Sequence, residues 1–282
     1  MNDTTSAQLS ATHKFRALHE SGCFVLPNPW DVGTAVYLHH LGFAALATTS
    51  AGFAFAQALP DMVTAVGRDA MLAHIGELVR ATPLPVNADF QNGYTDDPAG
   101  VAKSVALCVS TGVAGLSIED ATGNKAAPLY EATLAIDRIK AARAAIDESG
   151  VPVVLTARCE AWLVGQPEPM RTALERLVAF AEAGADCLYA PGVADPDQIA
   201  AIVKAVNPKP VNVLMPVRGQ ALPISQLEDL GVRRVSVGSG LARVAWGAFI
   251  RAAREIAKAG TFDAFADAAP FTELDDLFKS AI

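Results

Sequence analysis

The chain has 282 residues, of which 51% are hydrophobic and 18% are charged, and its formal net charge is −8 at pH 7. This composition is too apolar for a disordered chain and is sufficient for a large core. No basic run is longer than Arg233-Arg234, so the sequence lacks the cationic surface that nucleic-acid binding requires, and we predict no nucleic-acid partner.

The cysteine usage and the N-terminal segment predict a soluble cytoplasmic protein. The four cysteines are scattered and form no CxxC pair, which favours a reduced compartment over a disulfide framework or a zinc site. The first six residues are polar and lack the basic and apolar regions of a signal peptide. The longest uncharged apolar stretch, 41–59, contains Thr, Ser, Gly and Gln, so we interpret it as a strand and a loop and expect no membrane contact.

Eight short apolar runs alternate with longer amphipathic stretches along the chain. An additional helix, Thr4–Glu20, precedes the first run and is expected to cap the bottom of the fold. The predicted strands are Cys23–Leu26, Ala44–Thr48, Val86–Asp89, Gly115–Glu119, Val153–Ala157, Cys187–Ala190, Val211–Met215 and Arg234–Val237. The other predicted helices are Gly33–Leu41, Arg68–Ala81, Pro98–Ser110, Tyr130–Glu148, Pro169–Ala183, Asp195–Val206, Ile224–Leu230 and Leu241–Ala259. Strands that are apolar along their whole length are typical of parallel strands buried on both faces.

The spacing of these elements predicts an α/β fold, a (β/α)8 barrel of the TIM type. Several helices are followed by a glycine that supplies a left-handed C-terminal cap, namely Gly42, Gly112, Gly150, Gly184 and Gly231. About eight such units in roughly 250 residues is the expected size of this barrel. We therefore predict a single domain over residues 1–282, with a barrel core at about 22–259 and a helical tail at 260–282. A doubly wound open sheet is the alternative, but residues 27–31 contain no glycine-rich turn.

The residue types at the predicted strand ends restrict the chemistry. All five histidines precede residue 75 and fall on predicted helices, and no lysine ends a strand. Histidine-ligated zinc, a Ser-His-Asp triad and a Schiff-base lysine are therefore disfavoured. The groups that remain are carboxylates, amides, hydroxyls and one arginine.

Oxygen ligands are expected to converge at the ends of the third and fourth strands. Asn87 and Asp89 are two residues apart, so their side chains face the same way, and Glu119 on the neighbouring strand can face the same space. Together with the loop residue Asp61, this set suits Mg²⁺, which keeps several waters and is completed by substrate oxygens. The alternative is that Asp89 and Glu119 are hydrogen-bonded polar residues without a metal.

Two further features have more than one interpretation. Arg158 follows a buried strand and either pairs with Glu160 or Glu119 or binds a substrate carboxylate through its forked guanidinium. The segment 238–240, Gly-Ser-Gly, opens the last helix; this pattern is typical of a phosphate-binding turn and also of close packing between small residues.

Six short motifs occur in order at the strand ends: Pro27-Asn28-Pro29-Trp30-Asp31, Thr49-Ser50, Leu59-Pro60-Asp61, Val86-Asn87-Ala88-Asp89, Ser117-Ile118-Glu119-Asp120 and Ala157-Arg158-Cys159-Glu160-Ala161. Together they resemble the isocitrate lyase/phosphoenolpyruvate mutase superfamily over residues 12 to 258. The resemblance implies a (β/α)8 barrel whose last helix is exchanged between subunits, and hence a homodimer or homotetramer. It also implies Mg²⁺, with Mn²⁺ as a substitute, and a small α-keto or α-hydroxy carboxylate whose C–C or C–P bond is cleaved through an enolate-like pyruvate.

The resemblance extends to individual site residues. The residues expected to bind substrate are Trp30, Ser50, Ala51, Gly52, Arg158 and Asn212. Those expected to surround Mg²⁺ and its waters are Asp61, Asn87, Asp89 and Glu119. The expected catalytic residues are Arg158, Asn124 and Lys125, of which the last two lie in a loop, 122–129, that is expected to be mobile and to close over the site.

Two departures from the family pattern bear on the reaction. Asn87 stands where the family has the first of two carboxylates, which removes a negative charge from the metal site. The lyase motif Lys-Lys/Arg-Cys-Gly-His, whose cysteine donates a proton to the departing acid, is absent from the loop after the fourth strand. Its absence argues against isocitrate and 2-methylisocitrate cleavage, and Asn124 corresponds to an asparagine of the mutase-like branch.

We therefore predict a Mg²⁺-dependent enzyme that acts on a small α-keto acid of the oxaloacetate or phosphonopyruvate type. The alternatives are a phosphoenolpyruvate mutase or carboxyphosphoenolpyruvate phosphonomutase activity, a methylisocitrate lyase-like activity, and an α-keto acid-binding barrel that has lost catalysis. A phosphate-binding aldolase or isomerase rests on residues 238–240 alone.

Overall fold

The computed structural model describes residues 3–217 and 219–280, which form a (β/α)8 barrel. Its strands are β1 Phe24–Leu26, β2 Leu46–Ala47, β3 Val86–Asp89, β4 Gly115–Glu119, β5 Val154–Arg158, β6 Cys187–Tyr189, β7 Val211–Leu214 and β8 Arg234–Ser236. Its helices are α1 Asp3–Ala17, α2 Val32–His40, α3 Ser50–Ala56, α4 Arg68–Arg80, α5 Pro98–Ser110, α6 Ala132–Glu148, α7 Pro169–Glu182, α8 Pro196–Val206, α9 Ile224–Asp229, α10 Gly240–Ala259 and α11 Phe271–Ser280, with a 3₁₀ turn at Asp263–Asp267. The predicted barrel is confirmed.

The strands are parallel and pair in the order β1-β8-β7-β6-β5-β4-β3-β2. Strands β1 and β2 are not joined by a regular ladder of backbone hydrogen bonds; two individual hydrogen bonds connect their ends. The Ala47 amide donates to the Pro27 carbonyl at 2.9 Å, and Asn28 Nδ2 donates to the Thr48 carbonyl at 2.8 Å. Asn28 therefore helps to close the barrel, a structural role that its place in a strand-end motif did not indicate.

The N-terminal helix α1 plugs the bottom of the barrel, as the sequence predicts. Phe15 is fully buried and belongs to an apolar cluster that includes Ala45, Ala114, Val154 and Cys187, which lie at or just before the strand starts. Gln8 Nε2 donates to the Val109 and Val113 carbonyls at 2.8 and 3.1 Å, and Arg16 Nη2 lies 3.1 Å from Asp186 Oδ2. These bonds join α1 to the segments that enter β4 and β6.

The predicted glycine caps are confirmed, because the five glycines after the helices have φ angles between 71° and 102°. A side chain at Gly184 would also collide with its surroundings, since a Cβ there would lie 2.7 Å from Arg143 Cγ. Within residues 3–217 and 219–280, no helix combines the length and the apolar character needed to cross a membrane.

Helix α3 was not indicated by the sequence, which predicts a strand and a loop in this region. Thr49 caps the helix, and its hydroxyl accepts from the Gly52 amide at 3.2 Å. The seven residues of α3 are small or aromatic, and they are too few to show the helical repeat of apolar and polar residues. The helix packs closely on the β1 loop, because a Cβ at Gly52 would lie only 2.9 Å from Trp30 Cβ.

Helix α10 and the tail present apolar side chains to solvent. Val244 and Phe249 of α10 are 71% and 61% exposed, and Phe271 of α11 is 81% exposed. Helix α11 contacts α2, where Tyr37 Oη donates to Glu273 Oε1 at 3.2 Å. The helical character of the tail is confirmed, and its aromatic side chains lack a covering surface within the described part of the chain.

His74 makes the stability of the barrel depend on pH. It is buried in α4, its ring stacks on Phe53 with the centroids 4.0 Å apart, and its Nε2 has no hydrogen-bond partner among the described residues. Burial lowers the pKa of His74 from 6.5 to about 4, against the opposing effect of Glu77 and Asp31. The unfolded chain therefore binds a proton at higher pH than the native chain, so the stability falls as the pH falls from 6.5 towards 4.

We expect His74→Leu to remove this part of the acid sensitivity, which amounts to about 3 kcal/mol between pH 6.5 and 4. Urea denaturation at pH 8, 6, 5 and 4 measures the effect. The comparison at pH 8 isolates the difference in packing, because the histidine is then neutral in both the folded and the unfolded chain. An equally steep loss of stability in the variant would show that His74 is not its source.

Candidate active site

A cavity of about 170 Å³ opens at the C-terminal end of the strands. Its wall includes Asn28 after β1, Asp89 of β3, Arg158 of β5, Tyr189 of β6 and Asn212 of β7. Reactive groups of barrels of this type come from the C-terminal strand ends and the loops that follow them. The cavity is therefore the candidate active site, and its volume suits a small molecule rather than a drug-sized one.

Arg158 ends β5 and is held by three carboxylates. Its Nη1 lies 2.8 Å from Asp89 Oδ1, its Nη2 lies 3.2 Å from Glu119 Oε2, and its Nε lies 2.8 Å from Glu160 Oε1. Burial lowers the pKa of the guanidinium, but the three carboxylates outweigh burial and hold that pKa well above its ordinary value. The predicted ion pairing is confirmed with both glutamates, and substrate binding by Arg158 stays a prediction.

The Asp89 carboxylate is oriented from a second side by the segment after β2. Its Oδ2 accepts from the Ser50 amide at 2.9 Å, and the Asp89 amide donates to Thr48 Oγ1 at 2.8 Å. Asp61 reaches the cavity from the loop after α3, and its Oδ1 accepts from Gln91 Nε2 at 3.1 Å. Burial, and next to it the Asp89 carboxylate, raises the pKa of Asp61, so this part of the cavity favours a cation.

A second ion pair fixes the backbone beside Arg158. Asp120 Oδ1 accepts from the Glu160 amide at 2.8 Å, and Asp120 Oδ2 lies 2.9 Å from Arg176 Nη1. Arg176 Nη2 also donates to the Tyr130 carbonyl at 2.6 Å. Burial raises the pKa of Asp120. This network holds the Glu160 backbone in place and thereby orients one of the carboxylates on Arg158.

The oxygen donors fit Mg²⁺ bound largely through water. Among the described residues, no three His, Cys, Asp or Glu side chains form a group that could hold a metal directly. Asp61 and Asp89 line the cavity, and Glu119 is paired with Arg158. Asn87 lines the cavity as well, and its buried Oδ1 has no hydrogen-bond partner in the described ranges. Mg²⁺ commonly keeps several waters beside one or two carboxylates, so this donor set is compatible with it.

Comparison with known proteins identifies the family. The family model described as phosphoenolpyruvate phosphomutase matches residues 15–257. The chain belongs to this family. A Burkholderia cenocepacia J2315 protein of known structure, provisionally described as a lyase or mutase, is 48% identical to it with a TM-score of 0.92, over 97% of both chains.

Two further proteins are similar to most of this chain. An uncharacterized protein of Mycobacterium tuberculosis H37Rv is 37% identical over 228 residues, which cover 80% of this chain and 81% of that protein. Oxaloacetate acetylhydrolase, solved with its product oxalate, is 25% identical with a TM-score of 0.84, over 95% of this chain and 94% of its own. The chain is thus an enzyme of the phosphoenolpyruvate mutase/isocitrate lyase superfamily.

Four of the six residues expected to bind substrate in this phosphomutase-family enzyme line the cavity, namely Ser50, Ala51, Arg158 and Asn212. Trp30 and Gly52 do not. Trp30 lines an apolar groove together with Ala242 and Trp246 of α10, and Gly52 packs against Trp30. Helix α3 places both residues outside the cavity wall in this conformation, and their role in substrate binding stays a prediction.

The two candidate catalytic residues of loop 122–129 also lie outside the cavity. The loop is closed by its own bonds, because the Thr122 amide donates to the Pro128 carbonyl at 3.0 Å and Asn124 Oδ1 accepts from the Ala126 amide at 2.9 Å. Asn124 and Lys125 are exposed and line a neighbouring groove beside Leu163. In this conformation neither side chain lines the cavity that contains Arg158, and closure of the loop stays a prediction.

Three residues near the cavity were not among the candidates. Gln91 bonds Asp61, and the ring of Tyr189 lies with its centroid 5.2 Å from Arg158 Cζ. Burial raises the pKa of Tyr189 to about 12, so its phenol stays protonated near neutral pH. Tyr189 ends β6 and could have been found by the strand-end rule, whereas Arg234 starts β8 and falls outside that rule.

The turn before α10 is engaged by Asn28, which counts against a phosphate site there. Asn28 Oδ1 accepts from the Val237 and Gly238 amides at 3.0 and 2.9 Å. The Gly240 amide donates to the Val237 carbonyl at 2.9 Å. Backbone N–H groups that a bound phosphate would need are therefore already used within the protein.

Proposed function

We propose that this enzyme cleaves the C–C bond of a small α-keto acid of the oxaloacetate type, through the enolate of pyruvate and with Mg²⁺ or Mn²⁺. The composition of the cavity carries the proposal. Along the described chain its wall holds two carboxylates, two arginines, amides and hydroxyls, without a cysteine, histidine or lysine. Such a wall lacks a Cys–His pair, a Ser–His pair and a Schiff-base lysine, but it can stabilise negative charge that develops on a substrate oxygen.

Arg158 is the residue expected to contact the substrate oxygens. Its three carboxylate partners fix the guanidinium before the substrate binds. Substrate binding therefore costs little conformational entropy of the Arg158 side chain. In the reaction of oxaloacetate, the bond from C3 to the leaving carboxyl group breaks, its electron pair forms the enolate of pyruvate, and carbon dioxide leaves. C3 of the enolate then takes one proton to give pyruvate. A guanidinium close to the enolate oxygen stabilises that intermediate.

Asp61 and Asp89 would hold Mg²⁺ through its waters, with the amide oxygen of Asn87 as a neutral donor. Burial raises the pKa of both Asp61 and Glu119, and neighbouring carboxylates add to the shift. A dication relieves this crowding of negative charge. When bound, the ion supplies Lewis-acid stabilisation of the substrate oxygens.

The alternatives differ in the bond that is broken. The phosphonopyruvate-type and mutase reactions act on a C–P bond, whereas the methylisocitrate lyase-like reaction needs a proton donor for the departing acid. The absent cysteine motif in loop 122–129 argues against that last reaction. Oxaloacetate acetylhydrolase, a relative by structure, is named for an oxaloacetate reaction, which supports the choice of substrate class.

A panel of substrates tests the proposal. With Mg²⁺ present, we expect pyruvate to form from oxaloacetate faster than from phosphonopyruvate, phosphoenolpyruvate or 2-methylisocitrate, and a chelator to abolish the activity. Asp89→Asn is expected to lower kcat/KM by about 10²-fold, because it loosens Arg158 and weakens the metal site. The matched control is Asp69→Asn, whose carboxylate is 83% exposed and lies outside the cavity.

Two outcomes would contradict the proposal. One is the absence of turnover of every member of the panel by the folded, Mg²⁺-supplied enzyme, and tight α-keto acid binding in that case would favour the barrel that has lost catalysis. The other is a reaction of oxaloacetate that Asp89→Asn leaves unchanged.

We propose further that α10 and the tail join copies of this chain into a homodimer or homotetramer in the cytoplasm. The exposed apolar side chains of α10 and the groove that Phe55, Leu59, Trp246 and Ile250 line between α3 and α10 provide a surface that a second α10 could cover. The four free cysteines are compatible with a reducing compartment.

A charge in this surface is expected to separate the copies. We expect Phe249→Glu to shift the enzyme from an oligomer to a monomer in sedimentation at micromolar concentration, because the new carboxylate would be buried without a partner. Lys258→Ala, on the same helix and exposed, is expected to leave the oligomer intact. A wild-type chain that sediments as a monomer would overturn this part of the proposal.

A further inference from the structure

A second arginine, Arg234, lines the inner part of the cavity and is only 2% exposed. It starts β8, and its side chain crosses to neighbouring elements. Its Nε donates to Asn212 Oδ1 at 3.0 Å, and its Nη2 donates to Thr156 Oγ1 at 2.9 Å. Its Nη1 lies 3.3 Å from His19 Nε2, at the end of the N-terminal segment that plugs the barrel.

The partners of Arg234 are all neutral. His19 Nδ1 lies 2.7 Å from the Phe15 carbonyl, so Nδ1 carries the proton and Nε2 accepts from Arg234. Burial, and next to it Arg234, lowers the pKa of His19 to about 3, which keeps the imidazole uncharged. Within the described ranges, Arg234 forms no salt bridge, whereas Arg158 forms three.

A buried guanidinium without a counter-charge is costly unless an anion joins it. Three of its five N–H groups are used by described residues, which leaves two for a ligand. The surrounding interior is polar, because Asn87, Ser117, Asn212 and Ser236 line the cavity together with Arg234. Barrel interiors at this depth are usually filled by bulky branched apolar residues. In this protein, polar side chains take their place around the inner part of the cavity.

We propose that Arg234 binds the second carboxylate of a diacid substrate whose α-keto end lies beside Arg158. The inference rests on the proposed function, to which it adds the residue that selects a diacid over a monoacid. Arg234 is bonded to Thr156, which precedes Arg158 by two residues on β5, a step of ~6.6 Å along the strand. A four- or five-carbon diacid in extended form covers that step. The charge of Arg158 is already matched by three carboxylates, so Arg234 supplies the unmatched positive charge that distinguishes a diacid from a monoacid.

Malate and lactate test the inference as a matched pair, because malate is lactate with one more carboxylate. Calorimetric titration of the full chain with Mg²⁺ is expected to show that the wild type binds malate at least 10-fold more tightly than lactate. Arg234→Gln is expected to weaken malate binding by about 30-fold while lactate binding changes less than about 2-fold. Arg233→Gln is the matched control, because Arg233 is the preceding residue and its side chain donates to the Gly22 carbonyl at 3.4 Å, outside the cavity wall.

A second variant keeps the test valid if Arg234→Gln fails to fold. Asn212→Asp keeps the size of the side chain and gives Arg234 a carboxylate partner, so it is expected to weaken malate binding selectively and by a similar factor. The inference is overturned if the wild type does not prefer malate to lactate. It is also overturned if Arg234→Gln or Asn212→Asp weakens both ligands equally, or neither. Failure of the proposed function appears separately: the substrate panel then gives no turnover while the malate preference still depends on Arg234.

Discussion

Arg158→Gln is expected to damage both the fold and the reaction. The substitution leaves Asp89, Glu119 and Glu160 close together without their common cation. Removing one member of a buried ion pair typically costs about 3–5 kcal/mol. In the fraction that stays folded, loss of the donor expected to face the substrate oxygens lowers kcat by a factor of about 10²–10³. Urea denaturation and turnover at a temperature where the variant is folded measure the two effects separately.

An exposed ion pair provides the control for Arg158. Arg171 Nη2 lies 2.7 Å from Glu168 Oε2, and both side chains are more than 60% exposed. Arg171→Gln is expected to change the free energy of unfolding by less than about 1 kcal/mol and to leave turnover unchanged. If Arg158→Gln were as stable and as active as Arg171→Gln, the three-carboxylate cluster would have no part in either the fold or the reaction.

Phe15→Ala is expected to destabilise the barrel more than any other single truncation in α1. The Phe15 ring is fully buried among the strand starts, and its Cε1 lies only 2.6 Å from the position that a Cβ at Gly115 would take. Removing a buried phenylalanine ring costs about 3–5 kcal/mol, because the lost burial is accompanied by a cavity. Urea denaturation at one fixed protein concentration measures the change.

The corresponding surface truncation is Leu107→Ala on α5, where the leucine is 43% exposed. We expect that change to cost well under half as much as Phe15→Ala, because its side chain already contacts water. A loss of less than about 1 kcal/mol in Phe15→Ala would mean that α1 is a loosely attached cap and that the strands close without it.

The elements that the sequence predicts most closely are those whose two ends carry independent signals. Helix α5 begins at Pro98 after the cap Asp97 and ends before Gly112, and its predicted range matches the observed one. Strand β4 begins after that glycine turn and ends at Glu119, the first residue of an acidic pair, and its bounds are also as predicted. Helix α3 lacks a distinctive signal at either end. Its cap, Thr49, is equally typical of the residue that ends a strand.

The candidate site is predictable where a side chain follows directly from strand position. Asp89 and Arg158 end β3 and β5, which both pair with β4, and side chains from alternate strands meet in the barrel interior. The position of Trp30 outside the cavity wall could not be predicted, because Trp30 packs against α3, which the sequence did not indicate. Arg234 could not be found by position, because it starts a strand and reaches the cavity only through the length of its side chain.

Deuterium exchange into pyruvate tests most directly whether this site stabilises an enolate. In ²H₂O with Mg²⁺, a site that stabilises the enolate of pyruvate should remove a proton from C3 and return a deuteron, whichever group leaves in the natural reaction. We expect the methyl proton signal of pyruvate to fall with time in the presence of the wild-type enzyme and of Arg171→Gln, and to stay constant with Arg158→Gln. An exchange rate with the folded, Mg²⁺-supplied wild type that equals the rate without enzyme would contradict the enolate mechanism.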